Sequence, residues 1–265
     1  MFYHKETFQE INDIINYFIQ KSDKKLDHVD NWIRMVATNR LTGHSKGFFS
    51  VYTLPPNQAI SAKRQIQINL KRKQIPEYKN TKEIIIKKSK QLLRNVSDDQ
   101  IKMLISSKDS SIILEEDASN TKQILSNSVS LTVTSPPFLD IVNYAADNWL
   151  RCWFNNIDAQ KISSKITMSK TINEWSSKMK AVFIELNRVT KNNGTIAFEV
   201  GEVRNGKIKL EEHILPLAEK TGFECLDIMI NEQNFTKTSN IWGISNNKRG
   251  TNTNRILLLK KEKNI

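Results

Sequence analysis

The chain has 265 residues, 40 of them Lys or Arg against 28 Asp or Glu, for a formal charge of +12 at pH 7. That length holds one α/β domain with insertions or two small domains, and the charge suits either a polyanionic partner or a solvated, Lys-rich surface. Two cysteines (Cys152 and Cys225), four scattered histidines without metal-ligand spacing, no apolar run near ~20 residues and no apolar leader exclude a disulfide scaffold, a zinc site and a membrane helix, so the expectation is a soluble, cytoplasmic protein in a reducing compartment.

From the N-terminus, residues 7–18 repeat Phe8, Ile11, Ile14, Ile15 and Phe18 at helical spacing. A polar loop at 22–25 precedes a second short helix over 31–40. Residues 41–56 mix glycine, proline and aromatics, which predicts an ordered loop rather than a linker. A basic helix spans 61–73 and stops at Pro76. Asn80 with Glu83 forms a capping box for a helix running to Arg94. Between residues 61 and 94 there are 11 Lys or Arg and two acids, Glu77 and Glu83.

The pattern changes near residue 110. A short apolar strand is expected at 111–115, a brief helix at 119–125 and a strand at 128–133. Leu139, Val142, Ala146, Trp149, Leu150 and Trp153 then fall at helical spacing. Trp175, Met179, Val182, Phe183, Leu186 and Val189 form a second stripe, with Asn193-Gly194 as its stop. A strand at 195–200, a helix at 210–221 containing Pro216, a strand at 223–230, a polar stretch at 231–254 and a last strand at 255–260 follow. This alternation implies a largely parallel sheet with covering helices, and a final strand reached through a loop is expected to be antiparallel. The expected division is a helical, basic region at 1–110 and an α/β portion at 111–265.

The run Thr134-Ser135-Pro136-Pro137-Phe138 follows the strand at 128–133. Two prolines can continue neither a ladder nor a helix, so the chain leaves the strand in a stiff, extended turn. The carboxyl end of a strand is where open α/β sheets place their ligand chemistry. The run resembles the catalytic motif of the amino-group DNA methyltransferases, Asp/Asn/Ser-Pro-Pro-aromatic, and Thr-Ser before the prolines is typical of the cytosine-N4 branch. The resemblance implies a partial Rossmann-like sheet, S-adenosylmethionine as cofactor, DNA as substrate, and Ser135, Pro136, Pro137 and Phe138 as the catalytic turn. Ser135 Oγ and the Pro136 carbonyl would accept hydrogen bonds from an exocyclic amine, while Phe138 stacks on a flipped base. Adenine-N6 methylation, a catalytically silent DNA-binding subunit, and RNA or protein-glutamine methylation remain alternative readings.

The stretch 185–204 resembles the helix, turn and late strand of the same superfamily, with Asn192 and Asn193 where that element has Pro and Gly. Asp117 matches an acid that faces the adenine end of the cofactor, and equally suits a plain loop or N-cap. Thr134 lends backbone to the cofactor site. Lys63, Arg64, Lys71, Arg72 and Lys73 could follow phosphates, with His44 or Asn57 reading base edges; a helical cover over the sheet serves equally, and Lys248 with Arg249 is a rival DNA contact. The family also requires a glycine-rich loop, and none of the eight glycines here forms Gly-x-Gly. The resemblance therefore covers about residues 111–260. The expectation is the C-terminal part of a split or truncated methyltransferase, partnered by a separate polypeptide carrying the glycine-rich loop. A divergent cofactor site within residues 1–110 is the competing explanation.

Overall fold

The computed structural model describes residues 1–21, 25–53, 60–137, 139, 144–164, 166, 169–203, 208–233 and 252–262. The chain divides into two compact units, Met1–Ile112 with Asn143–Lys165, and Ile113–Val142 with Ile166–Ile265.

The first unit is helical. Helix α1 (Lys5–Lys21) turns Ile11, Ile15 and Phe18 inward, where they meet Val36 and Ala37 of α2 (His28–Thr38), Ile85 of α4 (Thr81–Leu93) and Phe154 of α6 (Tyr144–Phe154). A capping box starts α2: Asp27 Oδ1 accepts from Asp30 N at 2.9 Å, and Asp30 Oδ2 accepts from Asp27 N at 3.0 Å. The buried Asp30 also receives Lys21 Nζ and the Tyr17 hydroxyl, and the ammonium holds its carboxyl below the usual range. Asn80 caps α4 by accepting from Glu83 N at 3.0 Å. Helix α3 (Ala62–Arg72) buries only Gln65, so polar contacts rather than an apolar stripe seat it. Helix α5 (Asp98–Lys108) follows a Ser97–Gln100 capping box and buries no residue at all. A short helix, α7 (Ala159–Ser163), closes the unit.

The second unit is a mixed sheet with helices. Strand β1 (Val129–Thr134) lies parallel to β2 (Thr190–Val203), and β5 (Asn252–Lys261) sits antiparallel between β2 and β4 (Phe223–Gln233), giving the order β1-β2-β5-β4. The short β3 (Ile208–Lys209) pairs with β2. Residues alternate across each strand. One face buries Ile196, Phe198 and Val200 of β2 and Leu257 and Leu259 of β5. It packs on Trp175, Met179 and Phe183 of α8 (Ile172–Val189) and on Leu210, Ile214 and Ala218 of α9 (Leu210–Lys220). The Phe183 and Phe198 rings lie 4.9 Å apart. The opposite face carries exposed apolar side chains, among them Leu131, Val133 and Met229. This is the expected α/β architecture, a partial Rossmann-like sheet with its last strand antiparallel.

Three local expectations change. Residues 111–115 form no strand; a strand needs a neighbour to take its ladder, none of the described residues pairs with them, and Ile113 is 97% exposed. Residues 119–125 form turns, because Asp117 Oδ1 takes both Ser119 N and Ser119 Oγ and competes with helix bonding. Asn193-Gly194 does not end the helix. Helix α8 stops at Val189, and Asn193 at φ 62° lies within β2 where its register to β1 shifts. A Cβ on Gly194 would fall 2.7 Å from Thr190 Cγ2, which explains the glycine there.

Two polar clusters fasten the approach to β1. Glu185 Oε1 accepts from Thr121 N (2.7 Å) and Thr121 Oγ1 (2.6 Å), while Arg188 donates to the Thr121 and Ile124 carbonyls and to Ser126 Oγ. Lys261, 3% exposed, donates to Asn127 Oδ1, the Asn187 carbonyl and the Thr190 carbonyl at 2.7–2.9 Å. Burial pushes its ammonium pKa down. Removing the ammonium strands three acceptors, so Lys261→Met should lower the unfolding free energy by about 2–3 kcal/mol in chemical denaturation.

Glu185 gives a pH-dependent test. The Arg188 guanidinium, with help from Thr121 and against the effect of burial, holds its carboxyl at about 2. Its folded value lies below the unfolded one of about 4.3, so its stabilisation is full above that unfolded value and drains away as pH falls toward 2. Compared with the parent chain, Glu185→Gln should flatten the loss of stability across this interval in denaturation curves at stepped pH. An unchanged slope would show that Glu185 contributes nothing.

Candidate active site

The Pro-Pro turn sits at the carboxyl end of β1. The last ladder position pairs Thr134 with Phe198, so the turn leaves the sheet beside the buried middle of β2. Thr134, Pro136 and Pro137 are partly buried and Ser135 is exposed. Prolines offer no N–H, so only carbonyls and side chains can hold such a turn. The fully buried Trp175, in the first turn of α8, donates its indole Nε1–H to the Pro137 carbonyl at 2.9 Å. Leu139 follows into the same core, 1% exposed. The turn is thus pinned at Pro137 and Leu139. Among the described residues nothing hydrogen-bonds to Ser135 Oγ or to the Pro136 carbonyl. Two acceptors stay open on a fixed backbone, which is what the recognition of an N–H-rich group requires. Phe138 lies outside the described residues.

Helix α8 reaches this position for local reasons. Thr171 caps it by accepting from Glu174 N at 3.2 Å, Glu174 lies in the first turn, and Arg188 in the last. The sequence marks Trp175 only as the first member of an apolar stripe. Its indole N–H is the signal that sequence reasoning missed: a buried tryptophan needs an acceptor, and the only question is which. At the same end of β2, where Arg255 pairs with Val200, Glu211 of α9 takes Arg255 Nε at 2.6 Å; both side chains are nearly buried.

The remaining predicted residues are dispersed. Asp117 is exposed in the turn before β1, where hydrogen bonds from Ser119 hold its carboxyl below the usual range. Lys63, Arg64, Lys71 and Arg72 are exposed along α3 in the first unit, and Lys248, Arg249 and Asn57 lie outside the described residues. Cys152 and Cys225 are free thiols, and no group of metal-ligating side chains occurs among the described residues. No described helix is long and apolar enough to cross a membrane.

Trp175→Phe keeps the ring and deletes the donor. It should cost about 1 kcal/mol of stability while loosening the turn. A nuclear-resonance or hydrogen-exchange probe of residues 134–139 should register faster exchange there than in β5; identical protection would dismiss the pin.

A family model described as DNA methylase, covering N6 and N4 enzymes, matches residues 129–265, which is 137 of the 265 residues. No curated protein matches. Among solved structures, a putative DNA modification methylase from Thermus thermophilus is 21% identical over 55% of this chain and 50% of its own, with a TM-score of 0.35. The same protein complexed with S-adenosyl-L-methionine gives 18% over 56% and 54%, with a TM-score of 0.34. A SAM-dependent methyltransferase from Methanosarcina mazei gives 10% over 63% and 80%, with a TM-score of 0.30. The chain spans about half the length of the Thermus structures it matches. With the family model starting at the first residue of β1 and running to the end of the chain, over more than half its length, this protein belongs to the N6/N4 DNA methylase family.

Proposed function

We propose that this chain is the catalytic portion of a DNA methyltransferase acting on the exocyclic amine of a base flipped out of the duplex, with cytosine-N4 as the target. The observation that carries this reading is the turn after β1, with the Pro137 carbonyl taken by Trp175 and Ser135 Oγ and the Pro136 carbonyl left open. An exocyclic amine is a poor nucleophile because its lone pair is delocalised into the ring. Acceptors that take its two N–H groups draw the nitrogen toward tetrahedral geometry and raise its electron density. A fixed turn does this without reorganisation. Phe138 is assigned the stacking role on sequence grounds. Thr134-Ser135 before the prolines favours cytosine; adenine presents the same amine and is the alternative.

S-adenosylmethionine, the methyl donor of this family, supplies an electrophilic sulfonium methyl when bound. Thr134 and Asp117 are the residues proposed to approach it. Its methionine part needs backbone free of Cβ atoms, and the described glycines of the second unit stand elsewhere: Gly194 in the β2 irregularity, Gly201 in β2, and Gly222 at φ 87° after α9. None of these three glycines is proposed for that end of the pocket. We assign it to a glycine-rich element on a separate polypeptide. The outer edge of β1, which pairs with no strand among the described residues, is where it would add. Lys63, Arg64, Lys71 and Arg72, exposed on one helix, are proposed as DNA contacts, and Lys248 and Arg249 as the rival pair.

Transfer of labelled methyl from S-adenosylmethionine to DNA tests this. The 265-residue chain alone should transfer none, and adding the glycine-rich polypeptide should restore transfer, with base analysis yielding N4-methylcytosine. In that complete system Ser135→Ala should slow turnover about 10²-fold. Unchanged turnover would remove the turn from the chemistry, N6-methyladenine would redirect the reading to adenine, and robust transfer by the chain alone would dispose of the separate polypeptide.

A further inference from the structure

The first unit carries a run of three rings with an arginine at each end that the catalytic reading does not use. The Arg40 guanidinium lies 4.2 Å from the Phe48 ring centre, and the Arg72 guanidinium 3.8 Å from the Tyr52 ring centre. His44 stands between them, its ring 6.5 Å from Phe48 and 6.5 Å from Tyr52. The contacts thus run Arg40, Phe48, His44, Tyr52, Arg72. Neither arginine has a carboxylate partner among the described residues, and Arg40 Nε is buried without an acceptor. The surrounding sequence offers none: residues 31–76 contain eight Lys or Arg and no Asp or Glu.

The segment is built rather than loose. Phe49 N donates to the Arg40 carbonyl at 2.8 Å, and Thr53 N donates to the Gly43 carbonyl at 3.2 Å. Gly43 N donates to Ser50 Oγ at 3.2 Å. A Cβ on Gly43 would lie 2.5 Å from three Phe48 ring atoms, so the ring rests on bare backbone. The Tyr52 carbonyl takes two side-chain amides, Gln65 at 3.1 Å and Gln74 at 3.0 Å. That explains why α3 buries a glutamine: it fixes Tyr52 beneath Arg72. Lys79 Nζ donates to the Phe48 and Ser50 carbonyls and fastens the loop from its other side. The loop and the end of α3 therefore hold two guanidinium groups over rings.

We propose that Arg40 and Arg72, presented on Phe48 and Tyr52 with His44 between them, form a binding site for phosphates of the DNA backbone. A guanidinium held over a ring is restrained before it meets its ligand, and its fork of donors matches a phosphate edge. An acid-free stretch adds no repulsion to a polyanion. The proposal rests on DNA being the substrate, and it adds Arg40 and the loop at 40–53 to the contacts assigned above.

The test is fluorescence anisotropy of a labelled DNA duplex against the full 265-residue chain over a salt series. Each phosphate contact contributes about 0.9 to the slope of log Kobs against log salt. Arg40→Gln with Arg72→Gln should reduce that slope by about 1.8. Arg40→Lys with Arg72→Lys should keep the slope while weakening binding, because the charge stays and the stacked fork is lost. Arg72 is exposed at the end of α3, so Arg72→Gln alone, expected to remove about 0.9, serves if the double variant does not fold. An unchanged slope in a folded glutamine variant overturns this site and leaves the methylation reading standing. Failure of the parent chain to bind the duplex at any salt also overturns this site, while the methylation reading is judged by methyl transfer in the complete system.

Discussion

Where β1 ends, two successive prolines leave the backbone with no N–H to offer, and everything the second unit presents at that edge depends on how the turn is held. One carbonyl accepts an indole from α8 and one leucine enters the core. The cost of this arrangement is modest, a single buried tryptophan with its donor satisfied. Its effect is to divide three consecutive residues into two kinds: Pro137 belongs to the scaffold, while Ser135 and Pro136 keep their acceptors for something else. A turn in which all three carbonyls faced solvent would have the same sequence and no fixed direction.

The same logic extends backward along the chain. The loop before β1 is tied to α8 through Glu185, Arg188 and Thr121, and to β5 through Lys261. These ties set where β1 begins; Trp175 sets where it ends. The strand itself contributes little burial, since Leu131 and Val133 are 60% and 75% exposed. Its place comes from pairing with β2 and from these polar fastenings at either end, so its position is more a matter of hydrogen bonding than of apolar packing.

Much of this is legible in the residues. The apolar stripe beginning at Trp175, the helix ending at Gly222 and the antiparallel last strand follow from periodicity and turn chemistry, and the Pro-Pro run marks the turn by its composition alone. The failures have a common cause. Residues 111–115 look like a strand because strand propensity is local, yet a strand exists only with a neighbour. Asn193-Gly194 looks like a helix stop because those residues tolerate positive φ, and a strand irregularity uses the same tolerance. Trp175 is visible as apolar mass but not as a donor, and the acid-free stretch around His44 is visible as charge but not as a set of arginines held over rings. Long-range partners are what a one-dimensional pattern omits.

The placement of β5 has a consequence for how the second unit comes into being. Among the described strands it is the last in sequence and an interior one in space, flanked by β2 and β4 and ending in the lysine whose ammonium reaches the loop before β1 and the start of β2. During synthesis, β1, β2 and β4 must therefore wait with a gap in the middle of their sheet, and the apolar face of α8 must wait with them. Cooperative closure waits until residues 252–261 have left the ribosome, and it joins β5 to the loop before β1, far back along the chain. Such a nucleus is slow. Until it forms, two open strand edges stand exposed to other chains, so a truncation within β5 would yield an aggregating species rather than a shortened sheet.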